Sequence, residues 1–216
     1  MLFRSRVAER DYPARAILLA TGVVNHRPAI DDALHADALQ RGLLRYCPIC
    51  DGYEVTDKRV GVIGTGERGI NEALFLRGYT ADVTLIAPEA EHDLPEDRVA
   101  ELDAAGVVRI DGPCGAYAIE ADQLAFDTAH GRMAFDSVYP ALGSRIRSGL
   151  AIQAGARAAE DGCLEVDDHQ RTSVPGLFAA GDVAKGLDQI SHAMGEAGVA
   201  ATTIRNMLAE QRPLRR

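Results

Sequence analysis

Cys47 and Cys50 enclose Pro48 and Ile49, and Asp51 follows at once. Two thiols at this spacing can supply half of a metal site, or they can cycle between dithiol and disulfide and so carry two electrons. A zinc site needs about four ligands. Cys114 and Cys163 stand singly and far apart, and His26, His35, His92, His130, His169 and His192 show no ligand spacing. The redox reading is preferred and no metal is expected. A redox pair needs one thiol ionised near neutral pH, which a helix N-terminus promotes. Asp51 is placed to give or take the proton; capping a helix is its other reading, compatible with the first. Cys114 and Cys163 read as small apolar residues.

A second group of residues lies just downstream. Val60 to Ile63 is apolar and runs into Gly64-Thr65-Gly66-Glu67-Arg68-Gly69. The pattern Gly-x-Gly-x-x-Gly alone is weak, but here it has a strand before it and a helix after it. The first glycine permits a tight turn, the second lets the backbone approach a pyrophosphate, and the third lets helix and strand pack closely. The helix N-terminus then offers free N–H groups to phosphates. Beyond the next strand stands Ala87-Pro88-Glu89, with no arginine before Arg98. A carboxylate there bonds the ribose 2′-hydroxyl of NAD, whereas arginines accept the 2′-phosphate of NADP. Glu89 therefore favours NADH, unless it is simply a solvated loop charge. A nicotinamide supplies two electrons as hydride, and a cysteine pair accepts two.

These motifs need elements to hold them. Arg15 to Ala20 reads as a buried strand running into Thr21-Gly22, followed by a loop and a helical piece over Ala33 to Leu44. Arg59–Ile63, Val83–Ile86 and Val107–Ile110 read as strands, separated by a helix ending near Gly78 and another over Pro95 to Ala105. This β-α-β-α-β order predicts a parallel sheet. Residues 115 to 139 alternate strand-like runs with turns at Glu120-Ala121-Asp122 and Ala129-His130-Gly131, an antiparallel meander. Leu177 to Ala180 is a strand ending at Gly181-Asp182, and Gln189 to Leu208 a long helix.

With 216 residues, 47% of them hydrophobic, the chain can bury a real core as one large or two small domains. A formal net charge of -9 with no basic cluster argues against nucleic acid or an anionic membrane as partner. No apolar run approaches the roughly 20 residues of a spanning helix, and no signal-peptide core opens the chain. Cytoplasm is the expected location, where a CxxC is more often catalytic or metal-binding than structural.

Cys47-Pro48-Ile49-Cys50-Asp51-Gly52, the glycine loop and Gly176-Leu177-Phe178-Ala179-Ala180-Gly181-Asp182-Val183, in that order, resemble the low-molecular-weight thioredoxin reductases and, more widely, the pyridine nucleotide-disulfide oxidoreductases. The resemblance implies an α/β fold of two Rossmann-like nucleotide-binding domains, each a parallel sheet with an antiparallel meander. Residues 1–36 and 147–216 would form a partial FAD-binding domain, and 37–146 the NAD(P)-binding domain that carries the cysteine pair. Thr21, Gly22, Asp182 beside Gly181, and Gln189 with Ile190 at a helix start would serve FAD. Gly64, Gly66, Glu67, Arg68, Gly69, Glu89 and Gly143 complete the cofactor-binding set, for FAD and for NADP or NAD. Cys50 would contact the flavin, Cys47 attack the substrate disulfide, and Asp51 act as general acid-base. The partner would be a thioredoxin-like protein or a small disulfide, and the full-length protein a homodimer. The domains would rotate about pivots near Asp37 and Arg147.

Two departures stand out. The family opens with its own Gly-x-Gly-x-x-Gly unit about a hundred residues upstream of the cysteine pair; here only 46 residues precede Cys47, without that loop. The first half of the FAD domain is therefore expected to be missing, leaving sheet edges and apolar surface uncovered. Leu2-Phe3-Arg4-Ser5 is also the translation of a common sequencing adapter, CTCTTCCGATCT, so these residues are expected not to be native. The family also carries an arginine pair where Pro88-Glu89 stands, and a different filling between its cysteines. Two other readings stay open: an NAD(P)-binding fragment without flavin or activity, and a flavoprotein dithiol oxidase using the same pair.

Overall fold

The structure is a computed structural model and describes residues 3–211. In chain order it runs β1 (Phe3–Val7), β2 (Arg10–Ala14), β3 (Ile17–Leu19), β4 (Val23–Asn25), α1 (Asp32–Gln40), α2 (Pro48–Asp51), a 3-10 turn (Gly52–Val55), β5 (Val60–Ile63), α3 (Gly66–Leu76), β6 (Val83–Ile86), α4 (Glu96–Ala104), β7 (Val108–Ile110), β8 (Gly115–Glu120), β9 (Gln123–Thr128), β10 (Gly131–Phe135), β11 (Ser137–Pro140), β12 (Ser144–Ile146), α5 (Gly149–Gln153), β13 (Leu177–Ala179) and α6 (Ile190–Gln211). The chain divides into two compact units, Met1–Val24 with Ser144–Arg216, and Asn25–Gly143. Asp37, expected at a pivot, lies inside α1 and pairs with Arg41 at 3.7 Å.

The unit Asn25–Gly143 is built on a parallel sheet of order β11-β5-β6-β7. Every residue of β5, β6 and β11 is buried, as expected of strands covered on both faces. Successive side chains go to opposite faces. Val60, Val62, Val83 and Leu85 pack under Ile70, Ala73 and Leu76 of α3 and Leu102 of α4. Ile63, Ile86 and Ile110 pack against Leu124, Phe126 and Phe135 of the second, antiparallel sheet, order β10-β9-β8, together with Ala38 of α1. The β8–β9 turn is Ala121-Asp122, both at positive φ (46° and 63°), the two-residue hairpin geometry that matches strand twist.

The meander is shorter than the sequence predicts. Residues from Ser137 leave it and pair in parallel with β5, Ser137 opposite Val60 and Pro140 opposite Ile63. Asp136 marks the departure: its carboxylate accepts from the Arg59 N–H and from Gln123 Nε2, each at 2.8 Å. These bonds tie the meander's exit to the start of β5.

In the other unit β13 pairs in parallel with β3, Leu177 opposite Ile17 and Ala179 opposite Leu19. Their core joins Leu19, Leu177 and Ala179 to Ala151, Leu164 and Val183, with Phe3 of β1 packed against it. Phe3, Arg4 and Ser5, expected from the sequence not to be native, lie in a hairpin of β1 with β2; Leu2 lies outside the described residues. Leu150, Leu187, Ile190 and Met194 are exposed; β13 is flanked by β3 on one edge and by an antiparallel bridge from Phe178 to Arg171 on the other. No helix among the described residues is long and apolar enough to cross a membrane.

Candidate active site

Cys47 and Cys50 are joined as a disulfide with Cα atoms 5.2 Å apart. Cys47 is the N-cap of α2, and its carbonyl accepts the N–H groups of Cys50 and Asp51. Pro48 opens the helix, where its missing N–H costs nothing. The helix has only four residues, a short source of the N-terminal field expected to favour a thiolate. Gly52 follows because a Cβ there would stand 2.8 Å from the Tyr79 ring.

Asp51 does not cap a helix with its side chain. Its Oδ1 instead accepts the Tyr139 hydroxyl at 2.7 Å, and its Oδ2 lies 3.2 Å from Arg45 Nη1. Arg45 is held in turn by Glu54 at 2.8 Å and by its Nε donating to the Gly42 carbonyl at 2.9 Å. Burial, and then the bond to Asp51, push the Tyr139 phenol well above its usual range, so it remains a donor. Arg45 and Tyr139 carry no sequence signal. Tyr139 is 88 positions from Asp51 and reaches it only because β11 lies beside β5. Glu72 on α3 is a further ionisable group not anticipated from the sequence. Burial raises its carboxyl pKa to about 7, Arg68 opposing and Asp51 adding.

The glycine loop shows why each glycine is there. A Cβ on Gly69 would stand 2.9 Å from the Gly64 carbonyl carbon, and one on Gly64 would stand 2.9 Å from the Ala141 Cβ. Gly66 has φ +59° and open space above it. Thr65, the N-cap of α3, makes no side-chain cap bond; its hydroxyl faces His92 Nδ1 at 3.3 Å. The first-turn N–H groups of α3 thus lack a side-chain cap, as a phosphate cradle requires. Arg68 lies over Gly143, where a Cβ would come within 3.2 Å of its guanidinium carbon, so these two candidates are neighbours. Glu67 faces Arg98 at 3.4 Å, and Arg98 is turned back onto α3 by Asn71 at 2.7 Å. Glu89 is exposed past β6, on the wall of a cavity of about 360 Å³ shared with His26, Arg27, Ile63, Pro88 and Tyr117. The Pro88–Ala90 loop rests on Gly112, where a Cβ would meet the Ala87 carbonyl oxygen at 2.7 Å.

In the unit built on β3 and β13 the remaining candidates converge. Thr21-Gly22 follows β3 and Gly181-Asp182 follows β13. The strands are parallel neighbours, so both turns lie at one edge, outside the strands' carboxyl ends, where open α/β sheets bind ligands. The Thr21 hydroxyl donates to the Arg147 carbonyl at 2.7 Å, and the Arg147 N–H to the Gly22 carbonyl at 2.9 Å. Gly181, at φ +74°, donates its N–H to Glu196 Oε2 at 2.6 Å. Glu196 is buried and its other oxygen lies 3.0 Å from His192 Nε2. Glu196 is a further residue that sequence reading did not single out. Ile190 opens α6, while Gln189 precedes it and its carbonyl accepts the Ala193 N–H.

Cys114 and Cys163 are free. Burial raises both thiol pKa values, which disfavours their reactive thiolate forms. No cluster of His, Cys, Asp and Glu among the described residues could hold a metal ion.

The profile of the family described as pyridine nucleotide-disulphide oxidoreductase matches residues 3–197. A thioredoxin reductase of Listeria innocua is 29% identical over 213 residues, covering 93% of this chain and 65% of the relative. One from Treponema pallidum is 31% identical over 203 residues, covering 88% and 63%. Among solved structures, HlmI superposes with a TM-score of 0.81 at 27% identity over 97% of this chain and 68% of its own. The thioredoxin reductase of Streptococcus pyogenes gives 0.80 at 24% identity, over 95% and 69%, and speaks for the fold alone. The chain thus spans about 65% of the length of the Listeria relatives it matches. On its own motifs and on these likenesses, this chain belongs to the pyridine nucleotide-disulphide oxidoreductase family, in its thioredoxin-reductase-like branch.

Proposed function

We propose that the chain is the core of a flavin-dependent disulfide reductase, which passes electrons from NAD(P)H by way of FAD to the Cys47–Cys50 disulfide and on to a thioredoxin-like protein or a small disulfide. One observation carries this reading. The disulfide is formed, and the carboxylate beside it is bonded to Tyr139 and Arg45, in the same unit as a glycine loop with open space at Gly66.

The residues present fit both cofactors. Gly66 and the side-chain-uncapped first turn of α3 suit a pyrophosphate, and Glu89 suits a ribose hydroxyl, which favours NADH. At the other edge no heavy atom lies within 4 Å of a Cβ built on Gly22, and Asp182 follows a glycine whose N–H is anchored. When bound, FAD would relay an electron pair from the nicotinamide to the disulfide.

The chain's own residues would do the rest. Arg68 and the first turn of α3 hold phosphates. Asp182 accepts sugar hydroxyls, and Glu196 fixes the turn that carries it. Asp51 protonates the departing sulfur when the disulfide opens and takes the proton back when the dithiol attacks its substrate. Cys47 makes that attack.

The test is spectroscopic. Purified protein supplied with FAD should turn yellow, bleach with NAD(P)H and gain two free thiols. Colourless protein that binds NAD(P)H would instead be a nucleotide-binding fragment. Peroxide formed from a dithiol without NAD(P)H would make it an oxidase. Serine at Cys47 or Cys50 should stop disulfide reduction and spare flavin bleaching.

A further inference from the structure

Between β6 and α4 the chain crosses the segment that follows β7, and bonds to residues 111–114 pin it there. The Gly112 N–H donates to the Ala90 carbonyl at 2.8 Å and the Cys114 N–H to the Pro88 carbonyl at 3.1 Å. The His92 N–H donates to an Asp111 carboxylate oxygen at 2.8 Å. The loop that carries Glu89 thus also fixes where the His92 side chain starts. That imidazole reaches the glycine loop. Its Nε2 lies 3.4 Å from the Leu85 carbonyl of β6, and its Nδ1 3.3 Å from the Thr65 hydroxyl. A carbonyl only accepts, so Nε2 carries the ring hydrogen, and in the neutral ring Nδ1 accepts from Thr65.

Thr65 is the N-cap of α3 in its backbone alone. It is extended there, with φ -148° and ψ 177°, and its carbonyl accepts the Gly69 N–H at 3.2 Å. A threonine in this position ordinarily turns its oxygen onto the N–H of the second or third helical residue. With its hydroxyl at His92, Thr65 makes no such bond. Glu67, the acid of the first turn, is likewise drawn aside, to Arg98 at 3.4 Å. Two side chains that could claim or screen the first-turn N–H groups are therefore held elsewhere. A helix start whose N–H groups no side chain has taken is what a phosphate needs.

The geometry points to His92 as a positioning residue for the coenzyme. It holds the Thr65 hydroxyl off the end of α3 and so keeps the first-turn N–H groups open for the pyrophosphate of NAD(P)H. Without the imidazole, Thr65 already has the backbone of a cap and needs only a side-chain rotation to take the N–H of Glu67 or Arg68. The coenzyme would then have to displace that bond, a loss of about tenfold in affinity. His92 does this without touching the coenzyme. The inference rests on the reading of Gly64, Gly66 and Gly69 as a pyrophosphate cradle, but half of its test uses no coenzyme.

Amide hydrogen exchange of the coenzyme-free chain reads the cap directly. In His92→Ala the Glu67 or Arg68 amide should exchange about tenfold more slowly than in the parent, because it gains the Thr65 oxygen. In the double variant with Thr65→Ala that protection should be gone. Fluorescence titration with NADH reads the consequence. His92→Ala should bind about tenfold more weakly. On the Thr65→Ala background the same change should alter affinity by less than about twofold. His92→Asn, whose amide oxygen can stand where Nδ1 does, should bind within about threefold of the parent. Unchanged exchange at both amides of His92→Ala would overturn the proposal. So would His92→Ala that binds NADH as tightly as the parent or more tightly. A loss equally large without the Thr65 hydroxyl would overturn it too, since the ring would then act on the coenzyme itself. A parent that binds neither NADH nor NADPH, whatever the exchange shows, would remove the cradle reading, and this inference with it.

Discussion

Tyr139 on β11 donates its hydroxyl to Asp51 on α2 at 2.7 Å, joining the last strand of the parallel sheet to the helix that carries the cysteine pair. The bond runs to a carboxylate that also meets Arg45, so it orients the acid beside the disulfide as well as stabilising the fold. Hydrogen bonds to charged groups contribute roughly 1.5–3 kcal/mol. Tyr139→Phe should lose about 2 kcal/mol of stability in urea unfolding. A double-mutant cycle with Asp51→Asn should recover most of that loss as coupling; additive losses would mean that the contact carries no energy.

Glu72 predicts a pH dependence with a definite sign. Its folded pKa, about 7, lies above the ordinary value of 4.5. Below 4.5 the group is protonated in both states and costs nothing. Between 4.5 and 7 the unfolded chain loses the proton first, so stability falls as pH rises. Above about 7 the whole penalty is present, roughly 3 kcal/mol at most. Glu72→Gln should therefore match the parent near pH ~4 and exceed it near pH ~8. Chemical denaturation at the two pH values checks this.

The glycine loop separates packing from ligand space. Gly69→Ala would press a methyl against the Gly64 carbonyl carbon at 2.9 Å, so it should lower both stability and nucleotide binding. Gly66→Ala meets no protein atom but must hold φ +59°, a strain of about 1–2 kcal/mol. It should still fold, yet lose NAD(P)H affinity by at least about tenfold, because its methyl occupies the space kept for phosphate. Thermal melts beside nucleotide fluorescence titrations distinguish the two variants.

Glu89 should set coenzyme choice. The parent is expected to bind NADH more tightly than NADPH, and Glu89→Arg to reverse the ratio by about tenfold. Equal affinities in both proteins would show Glu89 to be only a solvated loop charge. Gly112→Ala offers an independent check, because its methyl would displace the loop that Glu89 sits on and should weaken both coenzymes.

Glu196 is expected to matter through Gly181. Its Oε2 holds the Gly181 N–H at 2.6 Å, and Asp182 is the next residue. Glu196→Ala leaves that N–H without its acceptor and frees the turn, so FAD affinity should fall by about tenfold. Glu196→Gln keeps an acceptor oxygen and should retain most of the affinity. Flavin retention on gel filtration reports both.

The amino-acid sequence alone determined the local devices. Gly64, Gly66 and Gly69 follow a four-residue apolar strand, Cys47 and Cys50 flank Pro48 at a helix start, and β6 appears with the bounds read from its apolar run. Each depends on backbone geometry and hydrophobic period within a few residues of chain, so neighbouring letters suffice. The tertiary structure decided which distant groups complete those devices. Asp51 could have capped a helix; the parallel pairing of β11 with β5 brought Tyr139 to it instead. Ser137 to Tyr139 read as the end of a meander until the parallel sheet claimed them. Arg68 meets Gly143, and Glu196 meets Gly181, across loops and strands whose adjacency no short motif encodes. A side chain's charge state and hydrogen-bond partners are set by what burial places around it, and burial is a property of the packed chain.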